Sequence, residues 1–452
     1  MQKRSFLFSV LFLLSFWAVA QDSLKQHWVD SVYQSLSVKE RFGQLLMVRA
    51  NHSSKSYDPQ ISQYIQEYNI GGVCFFKSTP QKQRQQTNLW QAQSSLPLLV
   101  SIDAEWGLGM RLKQTISYPF QMTLGSITND SLIYEMGKQI GQQCRRLGIH
   151  LNFAPVVDIN NNPNNPVINS RSFGDDPKKV AQKAAMYMQG LQDAQIIATA
   201  KHFPGHGDTE TDSHKTLPIV AHDKNRLEAV ELYPYKQLIN RGLSGVMVAH
   251  LYVPAYEKEK NVATTLSKAV VSDLLQDQLG FKGLVVTDAL DMKGVTKYFP
   301  SGEIEVRALL AGNDILLLPE NTPMAIKGLF QAYESGRIPP ELLKEKCKKI
   351  LAYKYDLGLT QKQEVSEENL ISDLNKPEDK ALREILFDHA ITLIENKNVL
   401  PLARQGDTTL AVISFGMKKN AVFEKTAKIM CCSILGEQQF SLKDHLVLPL
   451  PK

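Results

Sequence analysis

The chain has 452 residues, of which 43% are hydrophobic and 21% are charged, and these fractions are typical of a globular protein. They exclude a long disordered, collagen-like or coiled-coil chain. With 51 basic and 46 acidic residues the net charge is only +5, and no dense basic run is interleaved with aromatic residues, so we expect no nucleic-acid partner.

The first twenty residues have the order of a secretory signal peptide. Lys3 and Arg4 precede an apolar run over residues 6–16, and the small-residue sequence Ala-Val-Ala follows at 18–20. We expect cleavage after Ala20 and export to the periplasm or the extracellular space. The apolar run is shorter than the roughly 20 residues that span a bilayer. We therefore expect no stable membrane span after cleavage.

Short apolar runs then alternate with helix-like segments along most of the chain. The runs cover residues 45–48, 72–76, 98–102, 151–157, 196–200, 246–249, 284–286 and 315–318. This alternation predicts a parallel sheet. Eight strands fit a (β/α)8 TIM-type barrel better than a doubly wound sheet, which usually has about five or six strands. No GxGxxG sequence follows the first strand, which argues against dinucleotide binding.

Ionisable residues follow or end several of the predicted strands. In an α/β barrel such positions face the active-site opening at the carboxyl ends of the strands. The residues selected by this rule are Asp103, Asp158, Lys201, His202, His250 and Asp288. The sequence thus predicts one functional site at this end of the barrel.

The densest cluster of such residues is KHFPGHGDTETDSH, residues 201–214, which supports two interpretations. One is a divalent-metal site, with His202, His206, Asp208, Asp212 and His214 as candidate ligands, although the spacing matches no common zinc signature. The other is an acid/base dyad on a mobile loop. There Asp212 would fix the tautomer of His214 and raise its pKa, while His206 would stabilise the glycine-containing turn.

Asp288 follows its strand as a lone carboxylate, a position that suits the nucleophile of a retaining glycosidase. We expect Asp291 to cap the helix that follows. For binding sugar hydroxyl groups, Asp103 offers a carboxylate, and Arg111 and Arg171 offer forked guanidinium groups. Trp106 is either a stacking platform for a sugar or a core aromatic residue.

Four segments together resemble glycoside hydrolase family 3, and in particular its β-N-acetylglucosaminidase branch. They are KHFPGHGDT with the following DSH, NPVINSRSFGDD, FAPVVDIN and GLVVTDALDM, within a resemblance that covers residues 39–336. It implies a (β/α)8 barrel with Asp288 as nucleophile, His214 as acid/base and Asp212 as its partner. Residues implied to bind the terminal N-acetylglucosamine are Asp103, Arg111, Arg171, Lys201 and His202.

Together with the export expected from residues 1–20, the resemblance implies an exported, retaining exo-β-N-acetylglucosaminidase that needs no metal and no organic cofactor. Its expected substrates are N-acetylglucosaminyl oligosaccharides, from chitin or from peptidoglycan as muropeptides. The branch usually reads D-x-E-G-G-R where this chain has Asp103, Glu105 and then Trp-Gly-Leu-Gly-Met at 106–110, so the sugar preference is open. Alternatives are a β-glucosidase or β-xylosidase, a glycoside phosphorylase, a metal-dependent barrel hydrolase and an inactive sugar-binding protein.

The sequence also predicts the domain limits. We expect the signal peptide at 1–20, the barrel domain at 21–360, a charged linker at 361–380 and a further segment at 381–452. This last segment resembles the start of the α/β sandwich domain that many family members carry after the barrel. We expect it to be incomplete, with exposed strand edges.

Overall fold

A computed structural model describes residues 23–50, 57–211 and 217–396 of the chain. Within them, eight parallel strands form one sheet in the order β7-β6-β5-β4-β3-β2-β1-β8. The strands are β1 Leu46–Ala50, β2 Gly72–Phe75, β3 Leu99–Ile102, β4 Leu151–Asn152, β5 Ile197–Phe203, β6 Gly245–Val248, β7 Leu284–Thr287 and β8 Leu316–Leu317. The predicted (β/α)8 barrel is confirmed.

Helices connect the strands and cover the outside of the sheet. They are α1 at 23–35, α2 Val38–Gly43, α3 Tyr57–Tyr68, α4 Pro80–Gln93, α5 Gln121–Gly125, α6 Ser131–Arg146, α7 Pro177–Asp193, α8 Lys224–Ala229, α9 Tyr233–Ile239, α10 Lys293–Thr296, α11 Glu303–Ala311, α12 Thr322–Glu334, α13 Pro340–Asp356, α14 Leu370–Asp373 and α15 Pro377–Ala390. A π-helix, Ala269–Gln278, lies between β6 and β7. None of the described helices is both long and apolar enough to cross a membrane.

Helix starts follow local sequence chemistry. Ser37 and Glu40 form a reciprocal capping box at the start of α2. Asp176 accepts hydrogen bonds from the first backbone N–H groups of α7, whose first residue is proline. The sequence therefore defines where these helices begin before any tertiary contact is made.

The barrel closes between β7 and β8 through one bridge and several separate hydrogen bonds. The Thr287 N–H donates to Ile315 O at 3.0 Å, and the Ile315 and Asp314 N–H groups donate to Val285 O at 3.1 and 2.8 Å. Val286 and Ile315 form a single parallel bridge, and the Leu290 N–H donates to Leu317 O at 2.9 Å. The Leu317 N–H donates to the side-chain oxygen of Thr287, also at 2.9 Å. The neighbouring pair β6 and β7 is instead matched over four residues, from Gly245↔Leu284 to Val248↔Thr287.

Alternate residues of the strands belong to two different apolar clusters. Met47, Cys74 and Leu99 belong to one cluster, together with inward-facing residues of other strands. Val48 and Val100, each one position further along its strand, pack in the other cluster beneath the helices. Because side chains alternate across a strand, the runs that looked uniformly apolar fill both the barrel interior and the layer outside it.

Strand β5 extends further than the apolar pattern indicated. It continues to Phe203, whose pairing with Val248 follows a local irregularity after Ala200. Lys201 and His202 are therefore residues of the strand itself and do not follow it. Their backbone is held by the sheet, which gives their side chains fixed directions into the opening of the barrel.

The compact unit that contains the barrel continues as far as Ile391. Within the segment predicted as a linker, α14 is joined to α6 by an ion pair in which Arg146 Nε lies 2.7 Å from Asp373 Oδ2. The Gln143 amide, also on α6, donates to Asp379 at 3.0 Å. The domain limits stay a prediction. Residues 397–452, which hold most of the predicted sandwich segment, lie outside the described residues.

Lys354 on α13 is buried at the amino-terminal end of the barrel. Its ammonium group donates to Gln44 Oε1 at 2.7 Å and has no other hydrogen-bond partner among the described residues. Burial lowers the pKa of Lys354 to about 7. Among the described residues, no carboxylate contacts the Lys354 ammonium group to balance its charge.

The stability of the protein should therefore depend on Lys354 in a pH-dependent way. An unfolded lysine has a pKa of about 10.4, so between pH 7 and pH 10 the unfolded chain binds the extra proton and the unfolding free energy rises with pH. Lys354→Met removes this dependence. We expect it to raise the unfolding free energy by a few kcal/mol at pH 6.5 and by little or nothing at pH 10, measured by urea denaturation.

Lys344→Met is the control, because Lys344 lies on the same helix with an exposed side chain. It should leave the pH dependence unchanged. Loss of the Gln44 hydrogen bond costs about 1 kcal/mol at every pH, so the slope with pH is the diagnostic quantity. A Lys354→Met variant with the wild-type slope would contradict the interpretation.

Candidate functional site

A cavity of about 350 Å³ opens at the carboxyl ends of the barrel strands. Its walls carry four carboxylates, four permanent cations and two histidines, above an apolar floor formed by Cys74, Phe153, Met247 and Leu317. The charged and imidazole residues are Arg49, Asp103, Glu105, Arg111, Arg171, Lys201, His202, His206, Asp288 and Asp291. A pocket of this size lies at the lower end of the range for small-ligand sites.

Glu105 is the deepest charged group of the site and is bound by two cations. Its side chain is 0% exposed, and Oε1 lies 2.7 Å from Lys201 Nζ and 2.7 Å from Arg171 Nη2. Arg171 Nε donates to the second oxygen at 3.0 Å, which completes a bidentate pair. Burial raises the pKa of Glu105, but the two cations and their hydrogen bonds outweigh it and keep the carboxyl ionised.

Asp103 joins the same network from the end of β3. Its two oxygens accept from Lys201 Nζ and from Arg111 Nη2, both at 2.6 Å. Arg111 also donates through Nε to the backbone oxygen of Asp103 at 3.0 Å. We refer to Asp103, Glu105, Arg111, Arg171 and Lys201 as the acidic–basic network. With two carboxylates and three cations it carries one net positive charge.

His202 is held in one orientation by its neighbours. Its Nδ1 lies 2.7 Å from the buried Asp158 carboxylate, and Arg171 Nη2 lies 3.1 Å from its Nε2. A carboxylate can only accept, so Nδ1–H donates to Asp158. Asp158 also accepts from the His206 N–H at 2.7 Å and so fixes the loop after β5.

The loop after β5 passes very close to the loop after β4, and this requires glycine. A Cβ at Gly207 would lie 1.7 Å from the Ile159 oxygen. The His206 ring lies 2.8 Å, at Nδ1, from Thr209 Oγ1, and Asn165 donates to the His206 oxygen at 2.8 Å. Burial and the neighbouring His202 lower the pKa of His206 to about 4. These contacts agree with the predicted structural role of His206.

Asp288 directly follows β7 and borders the cavity. One oxygen, Oδ1, accepts from the Ala289 N–H at 2.8 Å, whereas Oδ2 has no hydrogen-bond partner among the described residues. The His250 Nε2–H donates to the Ala289 oxygen at 2.9 Å and holds this segment from β6. Burial raises the pKa of Asp288, but His250, His202, the Ala289 N–H and Lys201 lower it below its usual value.

The structure brings six of the predicted site residues around this cavity. They are Asp103, Arg111, Arg171, Lys201, His202 and Asp288. Their roles in binding and chemistry stay predictions. Asp212 and His214, the predicted acid/base dyad, lie outside the described residues. Asp291 does not cap α10, whose N-cap is Met292 without a side-chain bond, so that expectation was wrong: Asp291 is paired with Arg49 at 2.6 Å instead.

Sequence reasoning missed Glu105 and Arg49 as site residues. Glu105 stands two positions after Asp103, a spacing that can put both side chains on one side of an extended segment, and this was the available signal. Arg49 lies within β1, where only the register of the strand shows that it faces the opening. Trp106 lines the cavity and packs edge-on against Phe120, with ring centroids 4.6 Å apart.

The described residues contain one group that could hold a metal ion, and it lies outside this cavity. It consists of Asp208, His222 and Glu231. However, the guanidinium of Arg226 already binds both oxygens of Glu231, at 2.8 and 2.7 Å, and its Nη2 lies 3.8 Å from Asp208. His222 Nε2 contacts Asp208 at 2.7 Å. The arginine thus supplies the positive charge that a cation would bring.

Comparison with known proteins identifies relatives over the barrel. The model of the glycosyl hydrolase family 3 N terminal domain matches residues 37–353, a range that includes all eight strands and the cavity. Beta-hexosaminidase A of Pseudoalteromonas piscicida is 33% identical over 376 residues, which are 76% of this chain and 62% of that protein. The chain thus spans less than two thirds of the length of this relative.

Two further proteins are similar over most of the chain. Beta-N-acetylglucosaminidase/beta-glucosidase of Cellulomonas fimi is 29% identical over 388 residues, 84% of this chain and 68% of that protein. The solved structure of a glycoside hydrolase family 3 beta-N-acetylglucosaminidase from Paenibacillus sp. str. FPU-7 has a TM-score of 0.79 at 33% identity. It is matched over 92% of this chain and 80% of that one.

The burial of Glu105 gives a prediction for stability. Glu105→Gln removes the carboxylate that Lys201 and Arg171 share and leaves both cations buried without it. Removing one partner of a buried ion pair typically costs about 3–5 kcal/mol. We expect a decrease of this size in the unfolding free energy, measured by urea denaturation at pH 7.

Glu303→Gln is the matched control, because Glu303 also bridges two cations, Arg307 and Arg337, but is 28% exposed. We expect it to cost less than about 1 kcal/mol. Equal losses for the two variants would show that the burial of Glu105 does not govern its contribution.

Proposed function

The chain belongs to glycosyl hydrolase family 3, and on this premise we propose that it is an exported, retaining exo-β-N-acetylglucosaminidase. It would remove terminal N-acetylglucosamine from peptidoglycan-derived or chitooligosaccharide ends. The observation that carries the proposal is the Asp288 carboxylate, whose Oδ2 has no hydrogen-bond partner among the described residues, beside a cavity whose other polar groups suit sugar hydroxyls. The names of the similar proteins support the choice of sugar.

The cavity supports action on a chain end. A volume of about 350 Å³ suits one sugar ring with its substituents rather than an extended oligosaccharide. Asp103 and Arg111 are about 20% exposed and offer an acceptor and a donor side by side at the wall. Vicinal hydroxyl groups need this combination. In this proposal the acidic–basic network binds the terminal ring and leaves its anomeric carbon near Asp288.

Asp288 is the proposed nucleophile. Its lowered pKa keeps it ionised at neutral pH, and the Ala289 N–H fixes one oxygen while leaving Oδ2 available for attack. Attack on the anomeric carbon forms a glycosyl ester and breaks the bond to the leaving oxygen. Asp288 attacks from the face opposite the leaving oxygen, and water then attacks the anomeric carbon from the face that the leaving group has left and releases the carboxylate. Two inversions give overall retention of configuration.

His214 is the proposed acid/base and Asp212 its partner. Protonated His214 would donate to the leaving oxygen in the first step and would accept a proton from water in the second. The last described residues on either side of this segment are Thr211 and Leu217. Two side chains help to hold the stretch before this segment in place. Asp208 contacts His222 Nε2, and the Asn165 amide donates to the backbone oxygens of His206 and Gly207.

A β-glucosidase activity is the second candidate. It is favoured by the Cellulomonas fimi relative, whose name combines both activities. The two sugars differ at C2, where one carries an acetamido group and the other a hydroxyl. Comparing kcat/KM for the 4-nitrophenyl β-glycosides of the two sugars distinguishes the candidates. A higher value for the glucoside would replace our first proposal.

Asp288→Asn should abolish turnover of 4-nitrophenyl β-N-acetylglucosaminide. Loss of a catalytic nucleophile reduces kcat by at least about 1,000-fold. In the wild-type protein, kcat/KM should fall on the acidic side only below about pH 4, because the reactive carboxylate must be ionised and its pKa lies below the usual value. Release of 4-nitrophenol over pH 3–9 measures both effects.

Asp273→Asn, on the exposed surface of the π-helix, is the control and should retain wild-type turnover. Proton NMR of the first product should show the β-anomer, as retention requires. Turnover that survives in Asp288→Asn, or an initial α-anomer, would disprove the proposed mechanism.

Export is proposed from the residue order of 1–20 alone. The expected mature protein begins at Gln21. Expression of the full chain in a Gram-negative host, followed by fractionation and N-terminal sequencing, tests this. A protein that stays in the cytoplasm with Met1 intact would contradict it.

A further inference from the structure

We propose that Trp106 closes the cavity at the end remote from Asp288 and so restricts the enzyme to terminal sugars whose C4 hydroxyl carries no substituent. This inference rests on the proposed function and deepens it, because it assigns the expected action on chain ends to one specificity-determining residue. Trp106 stands three residues after Asp103 and borders the cavity together with Met110.

The position of Trp106 relative to Asp288 is the first argument. Trp106 belongs to the loop after β3, and Asp288 directly follows β7. In the closed barrel, β6, β5 and β4 lie between β7 and β3 on one side, and β8, β1 and β2 lie between them on the other. The two residues therefore stand on opposite sides of the opening, with the cavity between them.

The chemistry of a pyranose ring gives this placement its meaning. C1 and C4 are opposite atoms of the ring, so a sugar whose C1 lies at Asp288 directs its C4 hydroxyl toward the loop after β3. In a 1,4-linked oligosaccharide, this hydroxyl carries the next sugar toward the non-reducing end. The Trp106 indole stands on the side of the cavity where that sugar would continue.

The burial of Trp106 is the second argument. A tryptophan of the core is Trp90, which is 0% exposed and stacks on Phe75. Trp106 is only half-buried and lines the cavity, and its indole N–H makes no hydrogen bond among the described residues. It stands directly after Glu105, where the D-x-E-G-G-R pattern has glycine. The indole thus adds volume to the wall at a place where glycine would leave a gap.

The local structure holds this indole in place. Its ring packs edge-on against Phe120, with ring centroids 4.6 Å apart. The backbone oxygen of Trp106 accepts from the Tyr118 N–H at 2.9 Å. Gly107 turns the chain directly afterwards with a φ of +91°, and a Cβ there would lie 2.9 Å from the Tyr118 ring. Because the two sides of the loop are joined in this way, the indole cannot swing aside at low cost to admit a further sugar.

The experiment compares 4-nitrophenyl β-N-acetylglucosaminide with its 4-O-methyl ether. We would measure kcat/KM of wild type, Trp106→Ala and Trp106→Phe on both, and take the ratio of the ether to the parent glycoside. One extra carbon in a closed pocket typically lowers kcat/KM about 10–200-fold, and we expect a wild-type ratio in this range. In Trp106→Ala the ratio should rise at least about tenfold, because the pocket is then open. Trp106→Phe, with a smaller ring, should lie between the two.

Trp28→Ala is the matched control. Trp28 is also half-buried and packs against one aromatic ring, that of Tyr355 at 5.7 Å, but it lies outside the cavity. Its substitution should leave the ratio at the wild-type value. The 6-O-methyl ether is the control substrate, since C6 is not opposite C1. It should gain much less than the 4-O-methyl ether in Trp106→Ala, and an equal gain for both ethers would overturn the C4 assignment.

The remaining outcomes separate this inference from the proposed function. An unchanged ratio in Trp106→Ala overturns the inference, while turnover of the parent glycoside upholds the glycosidase. If Trp106→Ala loses turnover of both glycosides to the same extent, the indole supports the bound ring and does not limit its C4 end, and the inference also fails. A wild-type protein that hydrolyses the 4-O-methyl ether as fast as the parent refutes it directly. Wild-type inactivity on every glycoside would refute the proposed function itself.

Discussion

The site depends on one buried ion cluster, in which Glu105 lies between Lys201 and Arg171. A carboxylate with no exposed surface is tolerated only if its charge is balanced in place. This requirement fixes the positions of two cations that come from β5 and from the loop after β4. The Lys201 ammonium group also donates a hydrogen bond to Asp103, and Asp103 in turn pairs with Arg111 at the wall of the cavity. The geometry of the cavity is thus set by charge balance at its base.

The same cluster has an electrostatic effect at a distance. Its five members leave one positive charge, and the Asp288 carboxylate lies in the field of this charge across the cavity. A substrate with many hydroxyl groups and no charge can enter without disturbing the balance. This agrees with a site for a neutral sugar.

Much of the fold and part of the site were predictable from local sequence patterns. The apolar runs located all eight strands, and the rule that strand ends carry function selected Asp103, Lys201, His202 and Asp288. What local patterns could not give is which groups pair. Arg171 and Glu105 are 66 residues apart, and Arg49 and Asp291 are 242 apart, so both contacts depend on how the barrel brings distant strands together.

The error at Asp291 has a clear physical cause. Asp291 stands one residue before the N-cap, Met292, and so not at the capping position, whereas the guanidinium of Arg49 offers a full opposite charge within reach. Similarly, the apolar run at β5 seemed to end at Ala200 because Lys201 and His202 are polar. The strand continues because their polar ends find partners in the cavity while their backbone stays in the sheet.

The short closure between β7 and β8 supports the proposed nucleophile, Asp288, unevenly. On one side, β7 is paired over its full length with β6. On the other side the contact is one bridge with separate backbone hydrogen bonds around it and two hydrogen bonds to side chains, those of Thr287 and Asp314. We therefore expect the segment that carries Asp288 to move more easily toward β8 than toward β6. In the proposed mechanism, a small movement of the carboxylate with the reacting sugar ring would take that direction.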